Sequence, residues 1–190
     1  MSEIIINENS IKEIINGRIF YMMPGTSVHE KAVTRIGHEF YFYFRSHNKN
    51  CEVYSEGLAV YLDDENSNYY VVPDISIICD DSKFSKLGYK GVPELIVEVI
   101  SVSTAKKDKL DKFKAYEKAG VKEYWIVSTK EKSIDQYVLE NDQYTLKNIV
   151  TLADEADFDK LTDEQKMNYT SIIKPFIFED LEIDLRNIFY

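Results

Sequence analysis

The chain has 190 residues and a mass of 22.2 kDa, which suits one domain and leaves little room for two. Its residues are 44% hydrophobic and 13% aromatic, enough to fill a core, so whole-chain disorder is excluded. With 33 acidic against 23 basic residues the net charge is −10, which excludes a protein that coats nucleic acid indiscriminately, because a polyanion repels an acidic surface.

The N-terminal segment, rich in Ile, Asn and Glu, has neither a basic start nor a cleavage site and does not read as a signal peptide. Gly17–Pro24 predicts a short strand ended by the Pro24-Gly25 turn. Thr26 or Ser27 can then cap a helix from Val28 to Arg45. On that helix Val28, Ala32, Val33, Ile36, Phe40, Tyr43 and Phe44 fall on one arc, with His29 in its middle and His38 pointing away. Strands are predicted over Glu52–Leu62 and Tyr69–Cys79, separated by a polar turn at 63–68. The two cysteines, Cys51 and Cys79, read as small buried hydrophobes rather than a disulfide, since a domain of this size needs no covalent staple.

A loop from Asp80 to Pro93 leads to Glu94–Ser101, dense in β-branched residues. Ser103 or Thr104 caps a second predicted helix that runs to Ala119, where Gly120 stops it. Two strands follow, Glu123–Ser128 and Ser133–Leu139. The acidic stretch 154–168 reads as an insertion or long loop within a single domain spanning 1–190, and Asp180–Ile188 as a short amphipathic helix. The apolar runs are far shorter than the roughly 20 residues of a membrane span, so a cytoplasmic protein with no membrane partner is expected. The element order gives an α/β fold with one mixed sheet flanked by helices.

Two carboxylates stand out. Asp74 follows Pro73 at the start of Ile75–Cys79, and Glu98 lies inside Leu95–Ile100. Both faces of the second segment are apolar, so its strand is central and Glu98 is drawn inside. An ionised carboxylate there costs several kcal/mol unless something compensates it. Two readings stay open: a Glu paired with a lysine or capped by hydroxyls, or a ligand for a hard cation such as Mg²⁺. On the second helix Asp108, Lys112 and Tyr116 share a face by their four-residue spacing, with Lys109 near the same arc. Asp108–Lys112 reads either as a surface pair or, through Lys112, as a phosphate-charge stabiliser.

Pro73-Asp74, the run Glu98 to Thr104, Asp108, Lys112, Tyr116 and Gly120–Trp125 together resemble the Uma-type family of restriction-endonuclease-like proteins, long catalogued as a domain of unknown function. Met23–His29, Gly91–Leu95 and Phe178–Phe189 extend the resemblance over residues 12–190, interrupted by the acidic stretch. The resemblance implies a fold of the PD-(D/E)xK nuclease superfamily, with Asp74 and Glu98 as its two acids and the Val99 carbonyl as a third metal ligand. It also implies a Mg²⁺ or Mn²⁺ cofactor, DNA as substrate and a homodimer. The motif lysine would stand at position 100, which is Ile100; Lys112 is the matching residue on the following helix. His29 matches a family histidine, with Glu30 and Glu39 as alternatives for the first-helix acid and Glu56 as a further candidate.

The expected function is therefore metal-dependent hydrolysis of DNA phosphodiesters. Its rival is a binding module that keeps the nuclease fold without efficient chemistry. The net acidity is unevenly spread: Ser82–Lys122 holds ten lysines and five acidic residues, whereas Thr151–Tyr190 holds ten acidic and four basic ones.

Overall fold

A computed structural model describes residues 12–15, 17–22, 24–62, 69–100 and 107–190. The expected turn at 63–68, the expected caps Ser103 and Thr104, Met23 and the side chain of Asp108 lie outside the described residues.

The core is organised on two faces of a central mixed sheet. In chain order its strands are β3 (Glu52–Ser55), β6 (Ile75–Ile78), β9 (Leu95–Ile100), β10 (Glu123–Ser128), β11 (Ser133–Glu140) and β12 (Gln143–Thr151). Their spatial order is β12-β11-β10-β9-β6-β3, and only β9 and β10 run parallel. That parallel step needs a crossover, supplied by a π-helical turn (Lys107–Lys112) and helix α2 (Phe113–Ala119). Gly120, with φ +88°, ends α2 in the left-handed conformation that glycine adopts at no steric cost. Helix α1 (Ser27–Ser46) covers the other face: Ala32, Val33, Ile36, Phe40, Tyr43 and Phe44 pack onto Ile75, Ile77, Leu95, Val97 and Val99. Val28, predicted on that stripe, is exposed. Ile96, Ile126 and Tyr124 face α2 through Ala115 and Tyr116, so β9 is apolar on both sides as its composition requires.

A second sheet lies beside the first. It comprises β1 (Lys12–Ile15), β2 (Arg18–Tyr21), β4 (Val60–Tyr61), β5 (Tyr69–Val71), β7 (Phe84–Ser85) and β8 (Gly88–Tyr89), ordered β2-β1-β5-β4-β8-β7. This corrects the expected strands Glu52–Leu62 and Tyr69–Cys79. Each is two strands, one in each sheet. The first breaks where Glu56 (φ +57°) and Gly57 (φ +73°) turn left-handed. The second breaks at Pro73, which cannot donate to a ladder. The expected loop Asp80–Pro93 contains the β7–β8 hairpin.

The cysteines also need correction: Cys51 and Cys79 form a disulfide. The register pairs Glu52 with Ile78, so the next residues outward, Cys51 and Cys79, stand opposite one another. Their separation of 28 residues carries no trace of that register.

At the start of β10 the buried Glu123 gathers the C-terminal segment. Its Oε1 accepts from Trp125 Nε1 at 2.7 Å and Gln136 Nε2 at 2.6 Å, and its Oε2 accepts from the Ile177 N–H at 3.2 Å. The acidic stretch holds two short helices, α3 (Glu155–Asp159) and α4 (Asp163–Asn168). A two-stranded pair, β13 (Ile172–Ile173) with β14 (Ile183–Asp184), and the short α5 (Leu185–Phe189) complete the chain.

Candidate active site

The chain passes between the two sheets several times, and carboxylates collect at two of those passages, β3 to β4 and β5 to β6. Glu56 and Asp74 occupy the two breaks, and the Glu56 N–H donates to the Asp74 carbonyl at 2.8 Å. Ile75 pairs with Val97, so one step further along the same antiparallel register sets Asp74 opposite Glu98. Asp74 is pinned by its Oδ2, which accepts the Val99 N–H at 2.6 Å. The strand pairing thus brings together two acids that are 24 residues apart in sequence.

Helix α1 aims its first turn at the same place. Thr26 Oγ1 caps it by accepting the His29 N–H at 3.3 Å. His29 Nε2 lies 3.2 Å from Asp74 Oδ2, and its Nδ1 lies 3.5 Å from Glu30 and 3.9 Å from Glu56. The hydrogen bond to Asp74 raises the His29 pKa above 6.5, against the opposing effect of burial. Burial raises the Glu56 pKa above its ordinary value, and the neighbouring Glu30 carboxylate adds to the shift.

Glu98 is held from the other helix. Lys112 Nζ and the Tyr116 hydroxyl both donate to its Oε1 at 2.7 Å, as expected for residues four apart on one helical face. Glu98 is 2% exposed and Lys112 only 1%. Burial, then the negative charge of Glu98, pushes the Tyr116 hydroxyl well above its ordinary value of 10. Lys109 is exposed and pairs with Asp135 at 3.6 Å, which removes it from the site.

Among the described residues the expected site residues therefore form two joined groups. His29 and Asp74 are in contact, with Glu30 and Glu56 beside them; Glu98 and Lys112 are in contact, with Glu98 opposite Asp74 in the strand register. Glu39 belongs to neither, since its carboxylate accepts from Asn187 on α5. Glu13 joins the second group and was not legible in the sequence. It comes from β1, and its Oε1 lies 2.9 Å from Lys112 Nζ and accepts the Val72 N–H at 3.1 Å.

The donor set suits a hard divalent cation. One donor atom from each of His29, Glu30 and Glu56 lies within 4.8 Å of the others, and Asp74 adjoins them. His29 Nδ1 is buried and makes no hydrogen bond among the described residues. Gly25 leaves the space for this group: a Cβ there would collide with Glu30 Oε1 and lie 2.7 Å from His29 Nδ1.

Comparison with known proteins bears on the family and the fold. The profile of the Uma2 family, "Putative restriction endonuclease", matches residues 2–168. "Uncharacterized protein slr1290" of Synechocystis sp. is 29% identical over 126 residues, 66% of this chain. The match spans 64% of that relative's length. The crystal structure of "a putative nuclease belonging to DUF820" from Anabaena variabilis superposes with a TM-score of 0.71 at 13% identity. That superposition covers 97% of this chain and 93% of the other, and at such identity the likeness concerns the fold.

Proposed function

Because this chain belongs to the Uma2 family, we propose that it is a Mg²⁺- or Mn²⁺-dependent nuclease that hydrolyses DNA phosphodiester bonds at Asp74 and Glu98. The observation that carries the reading is the register that sets these two acids on neighbouring strands, with a lysine against one and a histidine against the other.

Asp74, Glu98 and the Val99 carbonyl would hold the ion, with His29, Glu30 and Glu56 as the adjacent donor group. A bound divalent ion supplies an activated water and neutralises charge developing on the phosphate. The remaining work falls to the chain. His29 fixes the orientation of Asp74, Tyr116 and Lys112 fix that of Glu98, and the Lys112 ammonium lends positive charge to the phosphate or positions the water. Hydrolysis places the water oxygen on phosphorus, breaks the bridging P–O bond and returns the leaving oxygen as a hydroxyl. Two copies acting on the two strands of a duplex, in a cytoplasmic setting, complete the proposal.

The test is plasmid cleavage in Mg²⁺ or Mn²⁺ by the wild type, Asp74→Asn, Glu98→Gln and Lys112→Met. Cleavage is expected to fall by about 100-fold or more in the first two variants. Cleavage at wild-type rate in either would remove the metal-centre reading. The burial of Lys112 and the presence of Ile100 favour a second reading, a binding module of the same fold. DNA retention by folded wild type without any cleavage would favour that alternative.

A further inference from the structure

β1 carries an anomaly. Strand alternation turns Glu13 and Ile15 inward and Lys12 outward, and Ile15 duly packs into the apolar cluster with Ile96, Ala115 and Tyr116. Glu13 occupies an inward position of the same kind and is 0% exposed. A carboxylate at such a position costs several kcal/mol unless it is compensated. Its compensation is specific: the Val72 N–H and the Lys112 ammonium both meet the same oxygen, Oε1.

We propose that Glu13 is the positioning residue for Lys112: the second sheet delivers its carboxylate across the domain to hold the lysine ammonium against Glu98. The physical need follows from where the lysine originates. A lysine on β9 itself would be aimed by its own strand, but position 100 is isoleucine and the lysine comes from the crossover helix on a flexible four-carbon stem. One carboxylate leaves that stem able to swing about a single contact. Two carboxylates, at 2.7 Å and 2.9 Å, fix the position of Nζ, and the Tyr116 hydroxyl on Glu98 Oε1 fixes one of the anchors in turn. Glu13 touches neither phosphate nor metal in this scheme; it acts only through Lys112. The Val72 N–H ties Glu13 to the residue just before Pro73-Asp74, so the same carboxylate links the lysine to the strand break that carries the other acid.

This inference rests on the reading of Asp74 and Glu98 as a nuclease centre, so its test has one arm that needs no cleavage. In protein with nitrogen-labelled lysine, a buried ammonium shared by two carboxylates gives a slowly exchanging Nζ resonance, assigned by its absence in Lys112→Met. Glu13→Gln keeps the shape and removes the charge, and is expected to shift or broaden that resonance away. Glu13→Asp is expected to retain it in part. In the cleavage arm, Glu13→Gln is expected to lower kcat by about 10- to 100-fold, with KM for DNA and Mn²⁺ affinity unchanged, and Glu13→Asp to recover part of the loss. A purely structural role would lower the unfolding temperature and leave kcat per folded molecule intact. An unchanged Nζ resonance in folded Glu13→Gln, or an unchanged kcat, overturns the proposal. A wild type that cleaves no DNA removes the nuclease reading alone, and the resonance still decides for or against Glu13. Should Glu13→Gln not fold, the same readouts on Glu13→Asp decide.

Discussion

At the scale of single residues, the buried carboxylates divide by the company they keep. Glu98 and Glu13 share a lysine, whereas the hydrogen bonds that Glu123 accepts from Trp125, Gln136 and the 177 backbone come from uncharged donors. Burial raises the Glu123 pKa above 4.5, and these hydrogen bonds offset only part of the shift. A raised folded-state value means that the fold favours the neutral carboxyl. Its contribution to stability is fully present below pH 4.5 and is lost as pH rises through the raised value. Glutamine at this position does not titrate, so the stability of the wild type relative to Glu123→Gln should decline from acid to neutral pH. Chemical denaturation of both proteins across that range measures the gap, and a gap that widens with pH would contradict the assignment.

At the scale of elements, β3 is an edge strand paired only with β6, and the Cys51–Cys79 bond secures one end of the pair. The other end leads to Glu56 and Asp74. A cross-link closing a loop with a sequence separation of 28 restricts the unfolded chain by about 3–4 kcal/mol in the loop-entropy description. Cys51→Ser should therefore lower the unfolding free energy by roughly that amount, and the difference should vanish when both proteins are unfolded in a reducing dithiol. A wild type equally stable with and without reductant would argue against the cross-link. The elements also show where local pattern suffices. Glu123–Ser128 forms a strand over the expected residues because its apolar run is continuous and buried. The strand Gln143–Thr151 was not predicted: it is an edge strand, and the register shift opposite Gln136 and Tyr137 leaves Lys147 as an extra residue and breaks the alternation.

At the scale of the whole molecule, the net charge of −10 and the site itself oppose DNA together. Glu13, Glu30, Glu56, Asp74 and Glu98 converge on one lysine and one histidine, so under the proposed function a phosphate would meet an anionic centre unless a cation were bound. DNA retention in a gel-shift assay should thus require a divalent ion and disappear in EDTA. Retention that is indifferent to EDTA would place the DNA-binding surface elsewhere. Among the described residues no helix is long and apolar enough to cross a membrane.

The sequence by itself located β9, β10, helix α1 and the C-terminal end of the crossover helix, together with the candidates Asp74, Glu98 and Lys112, because strand alternation and helical spacing are local and survive in one dimension; His29 entered through the family resemblance. Only the tertiary structure decided which candidates meet. Glu13 comes to Lys112 across 99 residues of chain, Glu56 meets Asp74 where two strands change sheets, and Cys51 faces Cys79 through a pairing register. The last two contacts depend on strand register between distant segments, and the first on the packing of the crossover helix against the second sheet. Register is fixed by the packing of whole faces and leaves no signature in the spacing of the residues it joins.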